Sequence, residues 1–370
     1  MFNQYVSTSR PRDKGDVYID YIKRYIHNID QSNLELEQKK QELTIQKVVA
    51  DYLKVFHAIY QFPLLLSVYK GLKYVIHVTT RTSEIYRLCN IAFVNEKEIT
   101  VSKEILYRIG KRYPLHIYNV TYKNYFTSAD RSIFYSSQLR EEKYQLEQPG
   151  CPVQEVVTSV ALKKEFSKES LATQVLATSL NRIYDTNQVL YSIEQQVKTK
   201  YDSNNSEHEQ QLMDLWNRMK PDTPLETRIS KQWVDIGFQG SDPATDFRGM
   251  GMQGLLDLLY FVKRYPTYAQ SVLQHASHPT NWYPYAIVGI NITKFCYQTL
   301  ESRKLQMFLF QYGANVDMFQ EFYCYLFNRF NQFWITHEPS LSVMDFESKF
   351  IEFKQQVEKD LLLETIILLK

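Results

Sequence analysis

Glycine is scarce in this chain. It supplies 11 of 370 residues, about 3% where about 7% is usual, so few positions take the backbone conformations that glycine alone adopts readily. Cysteine is scarcer still: Cys89, Cys151, Cys296 and Cys324 are scattered, with no CxxC or other metal-ligand spacing. That excludes a zinc finger and suits buried thiols in a reducing compartment. Charge of one sign is missing too, because Lys+Arg 43 against Asp+Glu 41 leaves +2. No global field favours nucleic acid, and none is expected as a partner. The longest apolar run, Val55 to Tyr69, contains His57, Gln61 and Pro63 and stops at Lys70. It falls short of the ~20 residues a membrane span needs, although an interface would accept it. The opening MFNQYVSTSRPRDKGD is polar and reads as no secretory signal.

Catalytic signatures are equally absent. No GxxxxGK[ST] phosphate loop, GxSxG elbow or HExxH pair occurs. Gly249, Gly251 and Gly254 fit GxGxxG by spacing, but no strand or βαβ unit precedes them. His275 and His278 stand at i,i+3 without a supporting carboxylate cluster, so neither a metal nor a cofactor is expected.

What is present is helical grammar. Hydrophobic residues make up 44% and charged residues 23%, with 28 Tyr and 21 Phe, the balance of a folded chain with a real core. A polar leader runs to about residue 30. From Leu34 a long helix is expected, with Leu36, Leu43 and Ala50 at seven-residue spacing. Asp51 to Tyr125 is locally basic, with eleven Lys/Arg against five Asp/Glu, and rich in aromatics. Such a surface can sit on an acidic membrane or partner, but the usual reading is a solvated helix face over a packed core. Gln148-Pro149-Gly150-Cys151-Pro152 signals a linker.

Beyond it, Lys163 to Lys200 keeps apolar residues at helical spacing. Ser206 to Glu209 reads as a capping box opening a helix with Leu212, Leu215, Trp216 and Met219 on one face, ended by Pro221. Gly254 onward and Phe322 to Trp334 predict buried helices. Ile287 to Thr293 reads as a strand by propensity, with a buried helix not excluded. The expected fold is all-α. The expected divisions are 1–50, an extension of leader and helix; 51–164, a basic aromatic-rich region; 165–355, the main helical domain; and 356–370, a helix end.

Five of the eleven glycines, Gly237, Gly240, Gly249, Gly251 and Gly254, fall within 18 residues. They lie in WVDIGFQGSDPATDFRGMGMQGLLDLLYF, Trp233 to Phe261, which reads as a rigidified loop leading into a buried helix. Asp242-Pro243 is a turn element, and Thr245 and Asp246 can accept backbone N–H bonds where the helix starts. Gly249 and Gly251 flank Met250 and permit positive φ or close approach by another backbone. Arg248 stands between Phe247 and Gly249. Two readings of it follow. A guanidinium on a pre-shaped loop is what an arginine finger needs, since charge develops on phosphoryl oxygens in the transition state. Alternatively Arg248 pairs with Asp242 or Asp246 and clamps the loop.

This segment resembles the signature of the ELMO (engulfment and cell motility) domain, in its short ELMO-domain-containing branch. The resemblance extends through Tyr201 to Pro221, Ile229 to Trp233, Tyr283 to Thr293 and Phe322 to Trp334. It covers roughly residues 165 to 355, about half the chain, with a weaker similarity in Tyr69 to Cys89. It implies a helical domain acting as a GTPase-activating protein for an Arf-family, particularly Arf-like, small GTPase in its GTP state. The arginine of the family's DFRG motif, required for activation, falls on Arg248. Trp233, Phe238, Asp242, Thr245 and Asp246, with the five glycines, would shape the loop. Gln239 could orient the attacking water, though the GTPase normally supplies a glutamine for that.

One position departs from the pattern, Gln253-Gly254-Leu255 standing where the family commonly has Leu-Gly-Leu. The competing reading is a non-catalytic scaffold or structural subunit of a cytoskeletal, ciliary or organellar assembly. The adaptor role of the long ELMO proteins fits poorly, because no armadillo repeats, pleckstrin-homology domain or PxxP tail is seen. The expected location is cytoplasmic, with peripheral contact on an organelle membrane (a mitochondrion) or a cilium.

Overall fold

The structure, a computed structural model, describes residues 62–90, 93–94, 99–100, 136–167, 170–363 and 365–369. The expected polar leader, the helix from Leu34 and most of the basic stretch Asp51 to Tyr125 lie outside the described residues. The chain divides into two units, 1–69 and 70–370. Of the first, the described part is residues 62–69, which open helix α1 (Pro63–Thr80).

Apart from one short strand pair, the described residues of the second unit form helices and their connections, an all-α fold that follows its apolar spacing. After α1 come α2 (Glu84–Asn90), α3 (Arg140–Glu147), α4 (Val153–Lys163) and α5 (Leu171–Lys198). Then follow α6 (Ser206–Met219), α7 (Gly251–Arg264), α8 (Pro266–Ala276) and α9 (Tyr285–Glu301). The series closes with α10 (Gln306–Tyr312), α11 (Val316–Ile335) and α12 (Phe346–Leu363). The β structure among the described residues is one antiparallel pair of two-residue strands, Phe93–Val94 and Ile99–Thr100. No helix among the described residues is long and apolar enough to cross a membrane.

Helix α5 has 28 residues, about 42 Å at 1.5 Å per residue, and serves two cores. Ser170 caps it by accepting the Thr173 N–H. Its first half buries Val175, Leu176, Leu180 and Ile183 with Leu146, Val156, Val157 and Val160. Its second half contributes Val189 and Ile193 to the larger core formed with α6 to α12. Residues 148–152, expected as a linker, are a short turn between α3 and α4, which share one core.

Helix α6 buries the four expected residues, Leu212, Leu215, Trp216 and Met219. Its cap differs from the expectation. Asn205 has the extended backbone of an N-cap, and its side chain accepts the N–H groups of Glu207 and His208. Ser206 is the first helical residue, and Glu209, expected to reach back to it, instead accepts from Tyr201 and Arg228.

Helix α7 packs against α5, α6, α8, α9 and α11. It therefore buries Leu255, Leu258, Leu259, Phe261 and Val262 around most of its circumference. The strand reading of Ile287 to Thr293 is corrected: the segment lies inside α9. Strand propensity spans about 1 kcal/mol, whereas each fully buried large apolar side chain contributes about 1.5–3 kcal/mol. With Val288, Ile290 and Ile292 all buried, packing decides for helix. Helix α11 supplies an aromatic spine, and its Phe330 lies against Phe346, Phe350 and Phe353 of α12 at ring distances of 5.3–6.0 Å.

Candidate functional site

The glycine-rich segment folds as two short 3-10 helices, Lys231–Ile236 and Pro243–Gly249, before α7 begins at Gly251, a turn ahead of Gly254. Trp233 anchors the first. It is buried, its indole N–H donates to the Arg228 carbonyl at 2.8 Å, and its ring meets Trp216 at 5.2 Å and Phe238 at 5.5 Å. The aromatic chain continues from Phe238 to Phe247 at 5.7 Å and from Phe247 to Tyr201 at 5.8 Å. Edge-to-face and offset pairs at these separations add about 0.5–1.5 kcal/mol each beyond their area. The loop's outer backbone is thus bolted to the core from within.

Two glycines are required by the backbone. Gly237 ends the first 3-10 helix at φ +81°, and a Cβ there would collide with the Pro284–Ala286 backbone where α9 begins. Gly251 has φ +54° and abuts the carbonyls of Gln196, Val197 and Thr199 at the end of α5. The next amide, Met252, donates to the Thr199 carbonyl at 2.8 Å. Of the pair flanking Met250, Gly249 therefore does not share Gly251's role. A Cβ at Gly249, or at Gly240, would meet nothing within 4 Å. Gly254 lies inside α7, facing the Phe247 ring.

The polar residues divide the work. Asp242 caps the second 3-10 helix by accepting the Ala244 N–H at 3.1 Å, with Pro243 at its first turn. Among the described residues the Thr245 side chain accepts no N–H; its hydroxyl donates to the Asp242 carbonyl at 2.9 Å. Asp246 accepts the Gln239 N–H at 2.9 Å, tying the second 3-10 helix to the stretch that follows the first. Burial raises the Asp246 carboxyl above the usual aspartate range, opposed by that N–H and by the nearby Arg248 charge. Gln239 is exposed.

Arg248 is exposed, and its Nε donates to the Thr245 carbonyl at 2.7 Å. Among the described residues no carboxylate lies within ion-pair distance of it. The pairing weighed as its alternative is not formed, because Asp242 is taken by Arg228 at 2.9 Å and Asp246 by a backbone amide. The Nε bond restrains the guanidinium, and among the described residues its two terminal amino groups make no hydrogen bond or ion pair.

Sequence reasoning missed Arg228. It bridges Glu209 of α6 and Asp242 at 2.9 Å each and lies 5.7 Å over the Tyr201 ring. Burial alone would lower its pKa, yet the bonds to Glu209 and Asp242 raise it. No motif marked it, since its partners are 14 and 19 residues away. The Gln253 departure also finds its reason. Gln253 is buried and its amide donates to Asp257 Oδ1 at 2.7 Å, one helical turn on. His275 Nδ1 faces the Asn331 amide at 2.9 Å and His278 Nδ1 faces Thr280, so the two histidines do not converge.

Fold and loop together define a helical domain that presents one arginine on a capped, glycine-bracketed turn. Residues 191–350 match the model of the ELMO/CED-12 family. ELMO domain-containing protein 2 of Mus musculus is 42% identical over 200 residues, covering 53% of this chain and 68% of that relative. ELMO domain-containing protein 1 of Homo sapiens is 34% identical over 268 residues, 63% and 80% of the two chains. ELMO domain-containing protein B of Dictyostelium discoideum is 32% identical over 295 residues, 78% and 93%. No solved structure matches the chain. The chain belongs to the ELMO/CED-12 family.

Proposed function

We infer that this chain is a GTPase-activating protein for a small GTPase of the Arf family, an Arf-like member in particular, and that Arg248 is its arginine finger. The reading starts from the resemblance of the DFRG loop to that of the short ELMO-domain proteins. The observation that supports it in this chain is the state of Arg248: exposed, held at Nε by the Thr245 carbonyl at 2.7 Å, and unclaimed by any described carboxylate.

The chemistry asks little more of the activator. The partner GTPase holds GTP and supplies the residue that orients the attacking water. As the γ-phosphoryl transfers, negative charge spreads over its oxygens, and a planar donor already in place stabilises that charge without reorganising. Fixing Nε beforehand also removes part of the rotamer freedom, up to about 2 kcal/mol, that a long cationic side chain otherwise loses on docking. Lysine offers no equivalent of Nε, so it cannot be held in this way. The open space at Gly240 and Gly249 lets a partner surface approach the arginine. The cytoplasm, with peripheral contact on an organelle membrane or cilium, is the setting this proposal carries.

The test is single-turnover GTP hydrolysis across a panel of Arf-family GTPases with the full chain. An arginine finger typically contributes about 10³–10⁵-fold, so Arg248→Ala and Arg248→Lys should return the responsive GTPase to its intrinsic rate with unfolding midpoints unchanged. Equal stimulation by wild type and Arg248→Ala would contradict the finger, and binding without stimulation of any GTPase would favour a scaffold.

A further inference from the structure

Arg228 sits outside the glycine cluster, yet it ties the turn that carries Arg248 to the helical body. Its Nε donates to Glu209 on α6 and its Nη1 to Asp242, both at 2.9 Å. The Asp242 oxygen that takes the Arg228 N–H also accepts the Ala244 N–H at 3.1 Å. The Asp242 carbonyl in turn takes the Thr245 N–H at 3.2 Å and the Thr245 hydroxyl at 2.9 Å. Thr245 then holds Arg248 through Nε. A second route reaches the same place. Tyr201 donates its hydroxyl to Glu209 at 2.5 Å, while its ring stacks at 5.8 Å on Phe247, the residue before Arg248.

We propose that Arg228 is a positioning residue, and that the Glu209–Arg228–Asp242 bridge sets the orientation of the 3-10 turn and so the direction in which Arg248 offers its guanidinium. The proposal rests on the reading of Arg248 as the residue supplied to a GTPase. The physical case is geometric. Charge-assisted hydrogen bonds are the stronger class, and a planar fork can span two carboxylates in a fixed arrangement that the single ammonium of lysine cannot reproduce. Without the cation, Glu209 and Asp242 lose their common partner, and the cap of the turn is no longer tied to α6. A displacement of about 1 Å at a reacting group can cost about 10²-fold in rate.

The experiment uses the full chain with the GTPase that responds to it. Arg228→Gln and Arg228→Lys should lower the maximal single-turnover rate by about 10- to 100-fold, with the half-saturating activator concentration within about twofold of wild type. Amide hydrogen exchange at Ala244 and Thr245 should quicken by about 10-fold or more in both variants and stay unchanged in Arg248→Ala. Asp242→Asn keeps an oxygen for the Ala244 N–H but gives up the ion pair, so adding it to Arg228→Gln should cost little more than either change alone. A wild-type maximal rate in Arg228→Gln, with Arg248→Ala inactive, overturns the positioning role and leaves the finger standing. Stimulation that survives Arg248→Ala overturns the finger instead, and unchanged exchange at Ala244 and Thr245 then overturns the bridge as well. Should Arg228→Gln fail to fold, Glu209→Gln and Asp242→Asn each remove one arm of the bridge. The same loss of maximal rate at constant affinity is expected from both, and its absence from both overturns the proposal.

Discussion

Arg248 and Gly251 stand three residues apart and have opposite surroundings, one exposed and one buried. Arg248 faces outward beside Gly249, where a Cβ would meet nothing within 4 Å. Gly251 faces inward at φ +54° against three carbonyls of α5's end. Gly251→Ala should therefore destabilise the fold by at least about 2 kcal/mol, through positive φ and backbone collision together, while Gly249→Ala stays within about 0.5 kcal/mol. Urea unfolding midpoints of the two variants check this, and equal midpoints would contradict the assignment. The clustering of glycines was legible in the sequence, and two of the five, Gly237 and Gly251, stand where the backbone requires glycine. Which glycine served backbone and which served clearance was not legible, because the deciding atoms belong to Gln196–Thr199 and Pro284–Ala286. The same holds for Arg248. Its nearest carboxylates in sequence were Asp242 and Asp246, but the first is claimed by Arg228 and the second by a backbone amide.

At the scale of elements, periodicity carried the helices and propensity misled. The apolar face of α6 and the aromatic run of α11 follow directly from spacing. Ile287 to Thr293 was read against its type because β-branched residues fit a strand equally well until α7 and α11 close around them. The contact between α7 and its neighbours also buries Asp257, whose carboxyl is pushed up to about 7 by burial, against the opposing pull of Thr293, Gln253 and Gln320. Around it, burial likewise raises the Cys296 and Cys324 thiols and the Tyr323 hydroxyl, which stay neutral through this range. The sign follows from linkage. A carboxyl whose folded value lies above its unfolded 3.8 holds its proton in the fold. The stability it allows is present below about pH 4 and lost as pH rises through about 7, each pH unit across that interval costing about 1.4 kcal/mol. Asp257→Asn keeps an acceptor for the Gln253 amide and cannot ionise. Its unfolding midpoint relative to wild type should rise steadily between pH 5 and 7. Parallel pH profiles for the two proteins would contradict the buried acid.

For the molecule as a whole, composition and spacing were enough to read an all-α chain, and the loop was enough to read its family. What they could not supply is the partner. Net charge of +2 on 370 residues gives no long-range field to steer one, so on the proposed function the choice of GTPase would rest on local shape around the turn. The larger core takes in Trp233, Phe238, Phe247 and Met250 and so anchors that turn, which the proposed finger needs in order to act without reorganisation. The central claim is that Arg248 works on the transition state and not on the ground state. It is tested most directly by comparing binding to the responsive GTPase in two forms: locked with GTP, and loaded with GDP and aluminium fluoride, which mimics the transferring phosphoryl group. A group that acts only in the transition state should make wild type prefer the mimic by about 10²-fold or more, and Arg248→Ala should bind both forms alike. A wild type without that preference, or an Arg248→Ala that keeps it, would contradict the account.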